Sequence, residues 1–203
     1  MFVYLIPEID LFQRPSEGNP LGRWFFRDRE STPGVVVHQM AANDACKMSA
    51  NNREGDNQMA SVRGCNLPDD LYYHVEDNVW ARLEADGTIT LGMTSYACAL
   101  AGQLVAATPK KIGKQVEQRK TVCTVESGKW VGPVKAPVGG ELVANNEAVS
   151  AKPGLVNEDP YGAGWMAKIQ PAHWEVESKS LISGAEIAAA FEAKMNADGF
   201  GGC

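Results

Sequence analysis

Thr121-Val122-Cys123-Thr124-Val125-Glu126-Ser127-Gly128-Lys129-Trp130-Val131-Gly132-Pro133-Val134 contains two valine-rich runs separated by a short turn. The first run alternates in the manner of a strand with opposite faces, and the second resumes after the chain reverses. Gly128 lies in the turn, and Lys129 projects where the chain doubles back. The second run leads on to Ala136-Pro137-Val138-Gly139-Gly140-Glu141. An amine at a hairpin tip is open to a modifying enzyme, and amide formation there would cancel its charge and lengthen the arm. Position alone assigns no function, because most exposed lysines only solvate a surface.

Similar signals extend outward on both sides. Val79-Trp80-Ala81-Arg82-Leu83 and Thr88-Ile89-Thr90-Leu91-Gly92-Met93 flank Asp86-Gly87, a pair that tolerates positive φ and closes a hairpin. Thr94 can cap a short helix over residues 95–101, which Gly102 stops. Further strands are expected over residues 103–107, 121–126, 131–135 and 140–145, punctuated by Pro109, Gly113, Pro133, Pro137 and Gly139-Gly140. Many short strands with such turns predict a mainly β barrel or sandwich. Near the end the period changes. Ile187, Ala188, Ala190, Phe191 and Met195 form a helical stripe with Gly199 as its stop, followed by a short tail ending at Cys203. That tail reads as mobile, with an accessible terminal thiol.

The first 58 residues differ in character. Pro7, Pro15, Pro20 and Pro33 interrupt them, and residues 49–58 are polar without an apolar period. Residues 1–58 are read as a poorly ordered extension or as the product of a start site placed too early, since Met59-Ala60-Ser61 resembles an ordinary start. Residues 59–180 then form the main domain, and residues 181–203 the terminal helix and tail.

Composition narrows the function. Apolar content of 44% and charged content of 22% are ordinary for a globular chain, and no apolar run approaches a bilayer span. The amino terminus lacks the basic region, apolar length and cleavage site of a signal peptide, so a cytoplasmic location is the default. A net charge of −6 without a strong basic tract argues against nucleic-acid binding. Lys110, Lys111, Lys114, Arg119 and Lys120 read as a solvated loop and strand edge, with partner docking the lesser reading. Five cysteines (46, 65, 98, 123 and 203) with no Cys-x-x-Cys pair fit free thiols in a reduced compartment. The three histidines have no metal-site spacing, so no metal is expected. Ser127-Gly128-Lys129 fails as a phosphate loop, because Cys123 and Trp130 occupy positions that need Gly and Ser or Thr. Asp69-Asp70 and Glu158-Asp159 sit in turn-like contexts without general acid–base spacing.

The segment from about Leu71 to Pro171 resembles the glycine cleavage H protein family. Glu126-Ser127-Gly128-Lys129 matches that family's Glu-Ser-x-Lys, and Ala136-Pro137-Val138-Gly139-Gly140-Glu141 matches its Ala-Pro-x-x-Gly-Glu. Residues 155–165 (LVNEDPYGAGW) and the hairpin carrying Trp80, Asp86, Gly87, Gly92 and Thr94 complete the likeness. The resemblance implies a barrel-sandwich hybrid of the lipoyl/biotinyl hammerhead type, with short helices and a C-terminal helix. It implies a carrier and not an enzyme, with lipoate covalently bound to Lys129 and a lipoylating enzyme as a partner. Glu126, Ser127, Gly128, Trp130 and Gly140 would shape the hairpin and its recognition. Biotin carriers flank their lysine with methionines, whereas Gly128 and Trp130 stand here.

This chain departs from the family at the lysine. Gly128 replaces the usual Val, Trp130-Val131-Gly132-Pro133 replaces a run like Ala-Ala-Ser-Asp, and Pro133 stands where an acidic residue is common. With Val62-Arg63-Gly64-Cys65-Asn66-Leu67-Pro68 and the terminal Asp-Gly-Phe-Gly-Gly-Cys, the chain resembles the lipoate-binding proteins of sulfur oxidisers. Those work with a heterodisulfide-reductase-like complex. The expectation is a carrier of sulfur intermediates at lipoyl-Lys129. The alternatives are an aminomethyl shuttle acting with the glycine cleavage enzymes, and an unmodified interaction module. Cys65 and Cys203 are read as bystanders before exchange partners of the lipoyl disulfide.

Overall fold

The computed structural model describes residues 59–203, so the expectation for residues 1–58 lies outside the described residues. In chain order the strands are β1 Met59–Val62, β2 Cys65–Pro68, β3 Tyr72–His74, β4 Val79–Leu83, β5 Ile89–Met93, β6 Leu104–Pro109, β7 Gln115–Val116, β8 Thr121–Ser127, β9 Val131–Lys135, β10 Gly140–Asn145 and β11 Ala167–Pro171. The helices are α1 Ser95–Ala101, α2 Glu147–Ala151, α3 Leu155–Glu158, α4 Trp174–Glu177 and α5 Glu186–Ala197. A six-stranded sheet has the order β3-β4-β5-β11-β10-β7, a three-stranded sheet the order β6-β8-β9, and β1 pairs with β2. Every pairing is antiparallel. The mainly β expectation with short helices and a C-terminal helix therefore holds.

The two expected hairpins form in the expected places. In β4–β5, Trp80 stands opposite Gly92 and Ala81 opposite Leu91. A Cβ on Gly92 would lie 2.8 Å from Trp80 Nε1, so the indole packs flat on a backbone with no side chain. The indole N–H donates to the Pro160 carbonyl at 3.0 Å, which ties this hairpin to the loop after α3. At the turn, Gly87 has φ +80° and the Asp86 carboxylate accepts from the Thr88 amide at 2.9 Å. Local chemistry suffices to make this turn.

The main core lies between the larger sheets, where Val122, Val125 and Val134 of the β8–β9 hairpin meet Leu91, Leu142 and Ile169. Fully burying each such aliphatic side chain is worth about 1.5–3 kcal/mol. A second cluster sits under α5, whose Ile187, Phe191 and Met195 are buried at four-residue intervals against Tyr73, Tyr96 and Leu67. That spacing is the helical stripe read from the sequence, with Ala188 on the exposed side.

Strands β1, β2, β3, β7 and β11 lacked a sequence signal of their own. They are five residues or shorter, and β7 has only two. Their pairing partners define them more than their own alternation does. Among the described residues, no helix is long and apolar enough to cross a membrane.

The free-thiol expectation needs correction. Cys65 and Cys203 are joined in a disulfide spanning 138 residues of chain. The tail is tied down: Phe200 N–H donates to Met195 O at 2.9 Å, and Cys203 N–H donates to Arg63 O at 2.9 Å. Phe200 also packs against Tyr96 with ring centroids 4.8 Å apart. Sequence spacing hid this contact, because α5 reverses the chain and returns its last residues to the β1–β2 turn. Cys98 and Cys123 do remain free and buried. Burial pushes both thiols up to about 12, so they stay protonated and unreactive at neutral pH.

Candidate functional site

Lys129 stands at the tip of β8–β9, where Thr124 pairs with Pro133, Val125 with Gly132 and Glu126 with Val131. The Ser127 amide donates to the Trp130 carbonyl at 2.8 Å, and the Lys129 amide donates to Ser127 Oγ at 3.4 Å. Ser127 thus closes the turn from both its backbone and its hydroxyl. Gly128 is not at positive φ, and a Cβ there would meet nothing within 4 Å. The turn therefore does not require glycine at that position.

Trp130 and Gly132 are structurally coupled. A Cβ on Gly132 would fall 1.8 Å from Trp130 Cζ2, so the indole lies directly across the glycine backbone. Trp130 is nevertheless 42% exposed and forms one wall of the tip. Two of the sequence departures beside Lys129 thus make a single structural unit.

The Lys129 stem does not point straight into solvent. It crosses Gly102 at the carboxyl end of α1, where a Cβ on Gly102 would stand 3.3 Å from Lys129 Cε. Gly102 has φ +78° and ψ −167°, a backbone conformation that glycine reaches because it has no side chain. Asn157 secures it: its side chain accepts from the Leu104 amide at 3.0 Å and donates to the Gly102 carbonyl at 3.0 Å. The stretch 155–165, singled out from sequence, therefore supplies the anchor beneath the lysine.

A groove of about 390 Å³ opens beside Lys129 and Trp130, with Val79, Met93, Ala97, Leu100 and Val134 among its walls. Its size and largely apolar walls suit an acyl chain. At its edge, Asp77 receives Lys135 Nζ at 2.8 Å and Arg119 Nε at 3.1 Å. Burial raises the Asp77 carboxyl, but hydrogen bonds from Lys135 and Arg119 outweigh it and hold it below its ordinary range. Burial also holds His74 below its ordinary range against the opposing pull of Asp77. Arg119, read from sequence as part of a solvated set, is exposed and also pairs with Asp77.

The structure divides the expected site residues. Glu126, Ser127, Gly128, Lys129 and Trp130 gather at the tip, with Glu126 and Lys129 exposed. Gly140 does not join them. It is buried in β10 opposite Pro171 and Val116, and a Cβ there would lie 2.0 Å from the Gln170 carbonyl. Its role is close strand approach. Sequence reading missed Gly102, Asn157, Asp77 and the α1 residues lining the groove. Only the likeness of residues 155–165 to a family signature hinted at Asn157.

The tip therefore presents an exposed lysine beside a largely apolar groove. Among the described residues, no group of three or more His, Cys, Asp or Glu side chains could hold a metal. A family model described as Glycine cleavage H-protein matches residues 71–194. Glycine cleavage system H protein 5 of Aquifex aeolicus is 53% identical over 135 residues, covering 64% of this chain and 90% of that protein. H protein 2 of the same organism is 48% identical over 129 residues, covering 64% of this chain and 80% of that protein. The crystal structure of a glycine cleavage system H protein from Mycobacterium marinum matches with a TM-score of 0.50 and 33% identity, covering 52% of this chain and 87% of that one.

The chain belongs to the glycine cleavage H-protein family. Members of this family are non-enzymatic carriers of lipoate bound as lipoyl-lysine. The family implies a lipoylating enzyme and the glycine cleavage enzymes as partners.

Proposed function

We propose that Lys129 is the lipoylated residue and that the arm carries sulfur intermediates between active sites of a cytoplasmic heterodisulfide-reductase-like complex. The observation that carries the attachment site is Lys129 itself, exposed at the tip with its stem laid toward an apolar groove. Lipoate supplies a strained, exposed disulfide that sulfur nucleophiles open. The chain's own residues supply position: Ser127 closes the turn, Asn157 fixes Gly102, and the groove walls shield an apolar arm from water. Tethering keeps the cargo at high effective concentration for each docking partner.

The sulfur reading rests on the tip. Gly128 is not demanded by the backbone, and Trp130 over Gly132 builds a surface unlike the family's small and acidic residues. Substitutions that the fold does not require are best explained by a different docking partner. Two similar H proteins in one Aquifex genome fit specialisation within the family. The aminomethyl shuttle of glycine cleavage is the second reading, favoured by the family match itself.

Intact mass and peptide mapping of the protein from its native host test the first step. A lipoyl-sized gain is expected on the Lys129 peptide and is lost in K129R. A bare Lys129 in fully expressed protein would leave only an interaction module. Complementation of a glycine cleavage mutant tests the second step: no growth on glycine is expected, and restored growth would replace the sulfur reading with the aminomethyl shuttle.

A further inference from the structure

The disulfide and Lys129 occupy opposite ends of one short helix. Cys203 Sγ lies 3.8 Å from the Ser95 carbonyl at the start of α1, and the Lys129 stem crosses Gly102 just past its end. Seven residues separate those ends by about 10 Å, at ~1.5 Å per residue. An octanoyl-length arm on Lys129 has a comparable extended length. Helix α1 reads Ser-Tyr-Ala-Cys-Ala-Leu-Ala and carries no charge. Its outward residues Ala99 and Leu100 lie between the lysine-side groove and a second hollow of about 540 Å³, which Ser95, Ala99 and Cys203 help to line. An apolar arm can cross this helix without displacing a charged side chain.

We propose that Cys65–Cys203 is a redox-active disulfide that exchanges electrons with a dithiol carried on Lys129 of the same chain. The inference rests on the lipoyl-Lys129 reading. Cys203 is exposed and Cys65 fully buried, so a thiolate on the arm attacks Cys203 Sγ and Cys65 is the leaving sulfur. In the complete exchange, the Cys65–Cys203 bond breaks and one S–S bond forms between the two sulfurs of the arm. Two electrons and two protons pass from the arm to the cysteine pair, and the reverse step restores both. The backbone bond from Cys203 to Arg63 and the packing of Phe200 on Tyr96 do not depend on the disulfide. They keep the tail docked after reduction, so the pair can close again. Cys98 and Cys123 cannot substitute, because burial pushes their thiols up to about 12.

The test uses lipoylated full-length protein under anaerobic conditions. Dihydrolipoyl dehydrogenase and NADH reduce the arm, N-ethylmaleimide traps thiols, and peptide mass spectrometry quantifies the Lys129 and Cys203 peptides. Cys203 labelling should follow arm reduction at a rate independent of protein concentration. It should fall roughly tenfold or more in K129R, which retains the disulfide and loses the tethered dithiol. Free dihydrolipoamide added to K129R should still reduce the pair, showing that it is accessible in folded protein. A reduced arm beside an intact Cys65–Cys203 bond overturns the inference and leaves the carrier reading standing. Equal labelling in K129R, or resistance to free dihydrolipoamide, also overturns it. A Lys129 peptide without lipoyl mass defeats both readings and is recognised by that mass alone.

Discussion

The hairpins β4–β5 and β8–β9 look alike in sequence, each a pair of short alternating runs about a glycine-containing turn, yet different forces hold them. In β4–β5 the glycines are structural necessities. Gly87 adopts φ +80° at the turn, and Gly92 leaves room for the Trp80 indole. In β8–β9 the turn glycine is free of both demands, since Gly128 has neither positive φ nor a neighbour within 4 Å of its would-be Cβ. The first hairpin is optimised for the fold. The second uses the same scaffold to present a surface, and its tip is organised by Ser127 and by Trp130 lying across Gly132.

The largest effect separating the two hairpins is expected at Gly92. G92V would drive a branched side chain into a fully buried indole and should cost about 3 kcal/mol, measured by urea unfolding. No loss of stability would show that Trp80 can relocate and that the hairpin is more plastic than described. G87A, with open space but a left-handed backbone, should cost about 1 kcal/mol in the same assay.

A smaller effect belongs to pH. The folded-state carboxyl of Asp77 lies below its unfolded value, so its contribution is present above the unfolded value and is lost as pH falls through the folded one. Its exposed partner Arg119 and half-exposed partner Lys135 limit each pair to about 0.2–1 kcal/mol. Wild type should therefore lose this increment on acidification below about pH 4, whereas D77N should show a shallower acid limb in its urea midpoints. Identical limbs would mean that the pairs add nothing to the base of β9.

The smallest stability change is expected for G128V, within about 0.5 kcal/mol of wild type. Its effect should fall on recognition, read as a changed rate of lipoylation at Lys129 by mass spectrometry. A marked loss of stability would show that the tip glycine serves the fold after all, erasing the contrast between the hairpins.

Elements with local signals were legible from residue order. Asp86-Gly87 fixed one turn, Thr94 and Gly102 bounded α1, and the spacing of Ile187, Phe191 and Met195 fixed the buried face of α5. The strands over residues 131–135 and 140–145 were legible to their ends, and Lys129 was legible as a tip residue. Tertiary structure alone decided what depends on residues far apart in the chain. It brought Gly102 and Asn157 under Lys129, moved Gly140 out of the tip into a strand crossing, and joined Cys65 to Cys203. The physical reason is range: turn and cap preferences act over a few residues, whereas grooves, close backbone approaches and disulfides are set by how packed elements bring distant segments together.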